Sequence, residues 1–303
     1  MSEITRIKPV EAVRSSFTGE DFMSLTKARL SLLVIVTTIV GYFLASKSVM
    51  NGVDWVNLQH TVIGSVLAAA AASIFNQLME IEIDARMERT ASRPLPKRKL
   101  PVAAAFSIGW LLAALGIIHL AVKVNFEASA IAAATLGVYV FIYTPMKCIS
   151  SVNTIVGAVS GALPPLIGWF AAGGSVSIEM WFLFALLFLW QLPHFLAINW
   201  MYRDQYESAG FVMWSNGDES GGRTSALALV FSGALMALLT VPLIFEFASW
   251  WAVLALCVAG MGMFLLALNF RFTRTRVAAR KLFLYTLLFL PVSLGLLILG
   301  WQV

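Results

Sequence analysis

Long apolar stretches separated by short polar segments recur along the whole chain, at about 28–47, 58–79, 101–121, 126–146, 153–172, 179–201, 224–245, 248–270 and 282–301. Each is close to the roughly 20 residues an α-helix needs to cross the hydrocarbon core of a bilayer. The pattern predicts an all-α, polytopic membrane bundle of about nine transmembrane helices. Residues 1–27 then form a cytoplasmic N-terminal segment and 28–303 a single membrane-embedded domain. Composition agrees: 303 residues with 59% hydrophobic and 12% charged side chains are too apolar for a soluble globular domain.

The net charge of +5 raises nucleic acid as a partner, but the placement of the basic residues excludes it. Arg6, Lys8, Arg14, Lys27 and Arg29 precede or open the first span, and Arg86, Arg89, Arg93, Lys97, Arg98 and Lys99 follow the second. Lys147 follows the fourth, Arg203 and Arg223 bracket the loop after the sixth, and Arg271, Arg274, Arg276, Arg280 and Lys281 link the eighth to the ninth. Of the 21 Lys and Arg, only Lys47 and Lys123 fall on the other side. This asymmetry puts the N-terminus in the cytoplasm and the C-terminus outside. The first residues lack an apolar core with a small-residue cleavage site, so no secretory signal is expected, and the absence of a transit-like leader points to a bacterial plasma membrane. The two cysteines, Cys148 and Cys257, are not expected to pair.

Two cytoplasmic loops carry more charge than topology requires. In the first, Asn76, Glu80 and Asp84 recur every four residues. On a continuous helix they share one face, drifting about 40° per step over a ladder about 12 Å long. Stacked oxygen ligands suit Mg²⁺, which takes one or two carboxylates plus waters and substrate phosphate oxygens. Diphosphate is the natural partner, with Arg89 and Arg93 as forked donors to its oxygens. Glu82 falls off the acidic face and is read as solvated. The competing reading is an interfacial charge cluster in which Glu80 pairs with Arg86 or Arg89.

The second loop follows the sixth span, four spans on and therefore on the same side. Asp204 and Glu207 share a helix face with Arg203 beside them, so they are candidate metal ligands and Arg203 a candidate diphosphate contact; a solvated loop is the alternative. His194 lies inside the sixth span after Pro193. It is a candidate for metal or heme contact, for proton transfer, or for a hydrogen bond to a neighbouring helix. Lys147 either marks orientation or completes the clamp with Arg89 and Arg93. The run Gly157, Gly161, Pro164, Pro165 and Gly168 reads as close packing and a broken helix.

Asn76, Glu80 and Asp84, with acids at the fourth and eighth positions after an Asn, resemble the first motif of the UbiA-type membrane prenyltransferases. Arg-Thr-x-x-Arg-Pro-Leu at 89–95, Tyr-Thr-x-x-Lys at 143–147 and Trp-Gln-x-Pro-His-Phe at 190–195 are similar to the heme O synthase branch of that family. The likeness covers nearly the whole chain. It implies a helical bundle around a central cavity with two acidic motifs at its cytoplasmic end binding Mg²⁺-diphosphate. It further implies farnesyl transfer from farnesyl diphosphate to a vinyl group of heme B with hydration, and partners in oxidase assembly such as a heme A synthase. Two departures touch the second motif and the Lys147 segment. Gln205 precedes Tyr206 where relatives carry Asp, with Phe211-Val212-Met213-Trp214 after it, and Cys148 stands where many carry a second basic residue.

Two other functions fit parts of the pattern. A prenyltransferase of the same superfamily acting on a quinone precursor shares the acidic ladder but not the Pro193-His194-Phe195 segment. A transporter needs ionisable residues along a path through the membrane, whereas the acids cluster at one face, with only Asp54, Glu127, Glu179 and Glu246 on the other.

Overall fold

The computed structural model describes residues 17–49 and 52–302. Most of the expected N-terminal segment, including Arg6, Lys8 and Arg14, lies outside the described residues. Among those described there is no strand, and nine helical stretches are long and apolar enough to cross a membrane.

A short helix α1 (Gly19–Leu25) comes first, closed by a reciprocal cap between Thr18 and Asp21. The first three spans are α2 (Ala28–Val49), α3 (Trp55–Met79) and α5 (Val102–Lys123), with the short helix α4 (Ile81–Arg86) following α3. The fourth span begins as α6 (Phe126–Gly137), widens into a π-helical turn (Val138–Tyr143) and ends as α7 (Thr144–Met146). Pro145 has no N–H to offer the carbonyl one turn back, which disfavours ordinary α geometry there. The fifth span is broken at Leu163 into α8 (Asn153–Ala162) and α9 (Pro164–Ala171). The sixth, α10 (Ile178–Met201), runs unbroken through Pro193 and is followed by the short α11 (Arg203–Ala209), which Gly210 ends in a left-handed conformation. The remaining spans are α12 (Gly222–Leu238) with α13 (Val241–Ile244), α14 (Trp250–Thr273) and α15 (Arg276–Gly300).

The polar residues at the span ends act as caps. Asp54 accepts from the amides of Val56 and Asn57 at the start of α3, Asn125 from Ala128 at the start of α6, and Thr275 from Ala278 at the start of α15. Both acidic motifs use the same local construction, a long span followed directly by a short helix (α3 into α4, α10 into α11).

In lipid, helices are held together by close packing of small residues more than by hydrophobic burial. The α2–α9 contact shows this. A Cβ on Gly168 would lie 1.8 Å from the Thr38 carbonyl oxygen, and one on Gly41 would lie 1.9 Å from that of Pro165. Beside the break at Leu163, the Thr38 hydroxyl lies between two carbonyls, that of Val34 at 2.9 Å and that of Pro164 at 3.1 Å. The glycine and proline run of the fifth span thus has the packing role its composition suggested. On the other side α10 packs against α12 and α15, and α14 closes the group against both. The largest apolar core cluster includes Leu183, Leu186, Leu187 and Trp190 of α10.

Gly168→Ala is expected to loosen the α2–α9 contact and cost about 1–3 kcal/mol, the usual range for overpacking a close contact. Gly137→Ala, with open space around the added Cβ, should leave the melting temperature in detergent unchanged or slightly raised. Equal melting temperatures for the two variants would remove the packing role of Gly168.

Candidate active site

The helix carrying the first acidic motif changes direction slightly without losing its ladder of bonds. Glu80 sits between α3 and α4 at φ −105°, yet its N–H still donates to the Asn76 carbonyl, and the Asp84 N–H donates to Glu80. The three side chains therefore keep the common face expected of four-residue spacing. All three are buried: Asn76 is 0% exposed, Glu80 5% and Asp84 2%. Glu82, on the other face, is exposed.

Buried carboxylates in a membrane protein need partners. The cations that serve them are not the adjacent Arg86 or Arg89. Lys147 Nζ lies 2.8 Å from Glu80 Oε1, and Arg93 Nη1 lies 2.5 Å from Asp84 Oδ2. Burial pushes the Glu80 pKa up, but Lys147 and Lys27 outweigh it and hold the carboxyl below its ordinary value. Thr90 ties the following loop back to α4 by donating to the Asp84 carbonyl at 2.9 Å.

Asn76, one turn before Glu80, is held by two other segments. Its Oδ1 accepts from Lys27 Nζ, and its Nδ2 donates to Thr144 Oγ1 at 3.2 Å. Thr144 in turn donates to the Tyr139 carbonyl across the π-helical turn. Widening of that turn thus fixes Thr144, Tyr143 and Lys147 together at the end of the fourth span. Lys27 was legible in the sequence only as an orientation charge. It has a positive φ of 47°, and burial, aided by nearby Lys147 and Arg93, lowers its pKa.

A polar cavity of about 390 Å³ opens over these residues. Four cations line it (Lys27, Arg89, Arg93 and Lys147) against two carboxylates (Glu80 and Asp84), which leaves an excess of two positive charges for an anionic ligand. An apolar cavity of about 330 Å³ adjoins it, walled by small residues such as Ala68, Ala72, Ala132, Gly157 and Gly161. Lys27, Tyr143 and Phe195 line both.

The second motif contributes differently from its acids. Tyr206 is buried and lines the polar cavity, where its hydroxyl accepts from Arg89 Nη2 at 2.9 Å, with the guanidinium 5.0 Å from its ring centroid. Asp204 and Glu207 do not line that cavity, and both are exposed. Asp204 is paired with Arg203 and Arg276, and its side chain is 65% exposed. The reason is helical phase. Tyr206 and Ala209, three apart, form the inward face of α11, so positions 204 and 207 point elsewhere. Arg203 is also drawn away, with Nη1 donating to the Glu219 carbonyl at 2.9 Å and its guanidinium over Trp200. The loop is anchored to the fourth span instead by the Val212 N–H, which donates to the Lys147 carbonyl at 2.7 Å.

The family model of the UbiA prenyltransferases matches residues 34–290. The chain belongs to the UbiA prenyltransferase family. Two relatives, each named protoheme IX farnesyltransferase, match over nearly their whole length. The one from Solibacter usitatus is 36% identical over 92% of this chain and 98% of its own, and that from Opitutus terrae is 38% identical over 92% and 94%. Among solved structures, a digeranylgeranylglyceryl phosphate synthase superposes with a TM-score of 0.79 at 16% identity, covering 93% of this chain and 97% of its own. A UbiA homologue from Archaeoglobus fulgidus bound to GPP and Mg²⁺ superposes with a TM-score of 0.65 at 14% identity, covering 91% and 99%. In this member of the UbiA family Glu80 and Asp84 of the first motif, Lys147 and His194 converge on one cavity, to which the second motif brings Tyr206, while Asn76 does not line it.

Lys147→Met is expected to cost about 3 kcal/mol, because it leaves Glu80 buried without its counter-charge. The pH dependence gives the sign. In the wild type the depressed Glu80 pKa means its stabilisation is complete above the unfolded value and lost only as pH falls through the lower folded value. In Lys147→Met, Lys27 and Asn76 alone are left to oppose burial, so that pKa rises relative to the wild type and melting temperatures in detergent should begin to fall at a higher pH. Coincident acid limbs would remove the pair from the account.

Proposed function

We propose that this protein transfers a farnesyl group from farnesyl diphosphate to a vinyl group of heme B, with addition of water, to give heme O. The observation that carries the reading is the junction of an electropositive cavity with an apolar one through Lys27, Tyr143 and Phe195. That pair of spaces matches an allylic diphosphate, a polyanion attached to a hydrocarbon tail. Relatives named for this reaction, matched along nearly their full length, supply the acceptor.

The donor set also suits Mg²⁺. Glu80 and Asp84 are buried carboxylates one helical turn apart, and among the described residues no group of three or more His, Cys, Asp or Glu side chains forms a closed metal cage. An ion held by one or two carboxylates, with phosphate oxygens and water completing its shell, is magnesium's habit. Glu80 and Asp84 are its ligands in this reading; Asn76 orients Lys27. When bound, magnesium supplies Lewis-acid stabilisation of charge on the departing diphosphate.

Arg89, Arg93, Lys147 and Lys27 then hold the diphosphate oxygens, and the first two offer planar forks of donors. The tail lies among the small residues of the apolar cavity, which puts the allylic carbon between Tyr143 and Phe195. As the carbon–oxygen bond breaks, its electron pair leaves with the diphosphate, and the aromatic residues Tyr143 and Phe195, which line both cavities, adjoin the allylic cation. The vinyl π electrons form the new carbon–carbon bond. The resulting cation takes up water and releases a proton, leaving a hydroxyl. The one-sided distribution of Lys and Arg supports a cytoplasmic orientation for the polar cavity in a bacterial plasma membrane.

Purified protein in detergent, given heme B, farnesyl diphosphate and Mg²⁺, should yield a farnesylated, hydrated heme by mass, and a chelator should prevent it. Asp84→Ala is expected to lower turnover about 100-fold or more, whereas exposed Glu82→Ala should stay within about twofold. Full activity of Asp84→Ala would sink the metal assignment, and prenylation of an aromatic quinone precursor in place of heme would sink the acceptor.

A further inference from the structure

His194 has a hydrogen-bonding arrangement that fixes which of its nitrogens is free. Its Nδ1 lies 2.8 Å from the Thr286 hydroxyl on α15. That hydroxyl has one hydrogen and already donates it to the Phe283 carbonyl at 2.6 Å. It can only accept from the imidazole, so Nδ1 carries the proton and Nε2 of the neutral ring is a bare lone pair. Nε2 has no protein partner among the described residues, and His194 lines the polar cavity. The ring is held in place as well as in tautomer. Trp190 stacks on it at 5.5 Å between centroids and donates its indole N–H to the Thr286 carbonyl at 2.8 Å, while Phe283 lies 4.9 Å from it.

Building on the reading that heme is the acceptor, we propose that His194 Nε2 is the axial ligand through which this chain holds the heme iron, with Thr286 and Trp190 as its positioning residues. A metal-bound histidine ordinarily donates its other ring N–H to a fixed acceptor, and the Thr286 hydroxyl is such an acceptor. The cavity divides its donors by chemical type. Glu80 and Asp84 offer hard carboxylate oxygens suited to magnesium, and His194 offers the lining's one imidazole nitrogen, the donor that porphyrin iron accepts. His194 also adjoins Phe195, which lines both cavities. Ligation there would bring the porphyrin edge to the junction where the allylic carbon is freed.

The other histidines make the assignment testable. His60 and His119 contact each other at 3.2 Å, and His60 lies 16 residues before Asn76 on the same helix α3, about 24 Å away along its axis. Ferric heme B would be titrated into the purified full-length protein and followed by absorption and electron paramagnetic resonance, with farnesyl transfer measured on the same preparations. The wild type and the His60→Ala/His119→Ala double variant should both show a saturable imidazole-ligated signature. His194→Ala should lose it, with heme affinity reduced about 10-fold, and added imidazole should restore it. His194→Gln provides the same comparison should the alanine variant fail to fold. Thr286→Val should alter the signature and Thr286→Ser should retain it, a distinction that general destabilisation would not produce. An unchanged signature in His194→Ala, or wild type that farnesylates heme without ever showing it, overturns the ligation while leaving the transferase reading intact. A His194-dependent signature in a preparation that transfers no farnesyl group supports ligation and counts against the transferase.

Discussion

Two ion pairs hold the candidate site together: Lys147 with Glu80 and Arg93 with Asp84. Acids this deeply buried at the edge of a membrane protein are tolerated only when a counter-charge is close and fixed. Each pair links segments far apart in sequence or across a turn. The Lys147–Glu80 pair joins the end of the fourth span to the end of the second, and the Arg93–Asp84 pair folds the loop after α4 back over the ladder. The Asn76 bridge between Lys27 and Thr144 adds the start of the first span. Four elements thus converge because the acids require cations, and the cations themselves line the cavity.

The same pairing explains how the cavity is poised for an anion. With two of its cations already engaged and Lys27 and Arg89 held by neutral partners, the lining keeps a net positive charge without like charges being forced together. Burial of Lys27, which lowers its pKa, makes an anionic ligand beside it favourable. The apolar wall beyond it includes several alanines and glycines, residues that let helices approach closely and still leave room for a slender hydrocarbon chain. Head and tail recognition therefore come from different helices meeting at shared residues.

The C-terminal half supplies the other wall. α10 carries His194 and Phe195 to the cavity, and α15 fixes His194 through Thr286. The second motif contributes the hydroxyl and ring of Tyr206, which steady Arg89, while Asp204 is paired at the surface and Glu207 is exposed. The likeness between the two halves is one of local construction, a span running into a short helix, and not one of identical chemistry.

The nine spans, their one-sided charge and the helical face shared by Asn76, Glu80 and Asp84 were legible in the sequence, because each depends on local periodicity or on a simple count of polar positions. So was the break in the fifth span, since prolines and glycines restrict the backbone directly. The partners of the buried acids were not legible, because Lys147 and Arg93 were chosen by three-dimensional proximity over the nearer Arg86 and Arg89. Nor was the inward turn of Tyr206 rather than Asp204 and Glu207, since the phase of a seven-residue helix is set by what it packs against. Lys27 looked like any orientation charge, and Thr286 like any threonine in a span. The sequence by itself determined the membrane class, the succession of spans and the acidic ladder, which are properties of neighbours along the chain. Only the tertiary structure decided which charges neutralise one another, which tautomer His194 adopts and where the polar and apolar cavities meet, because in a low-dielectric interior those depend on contacts between distant segments.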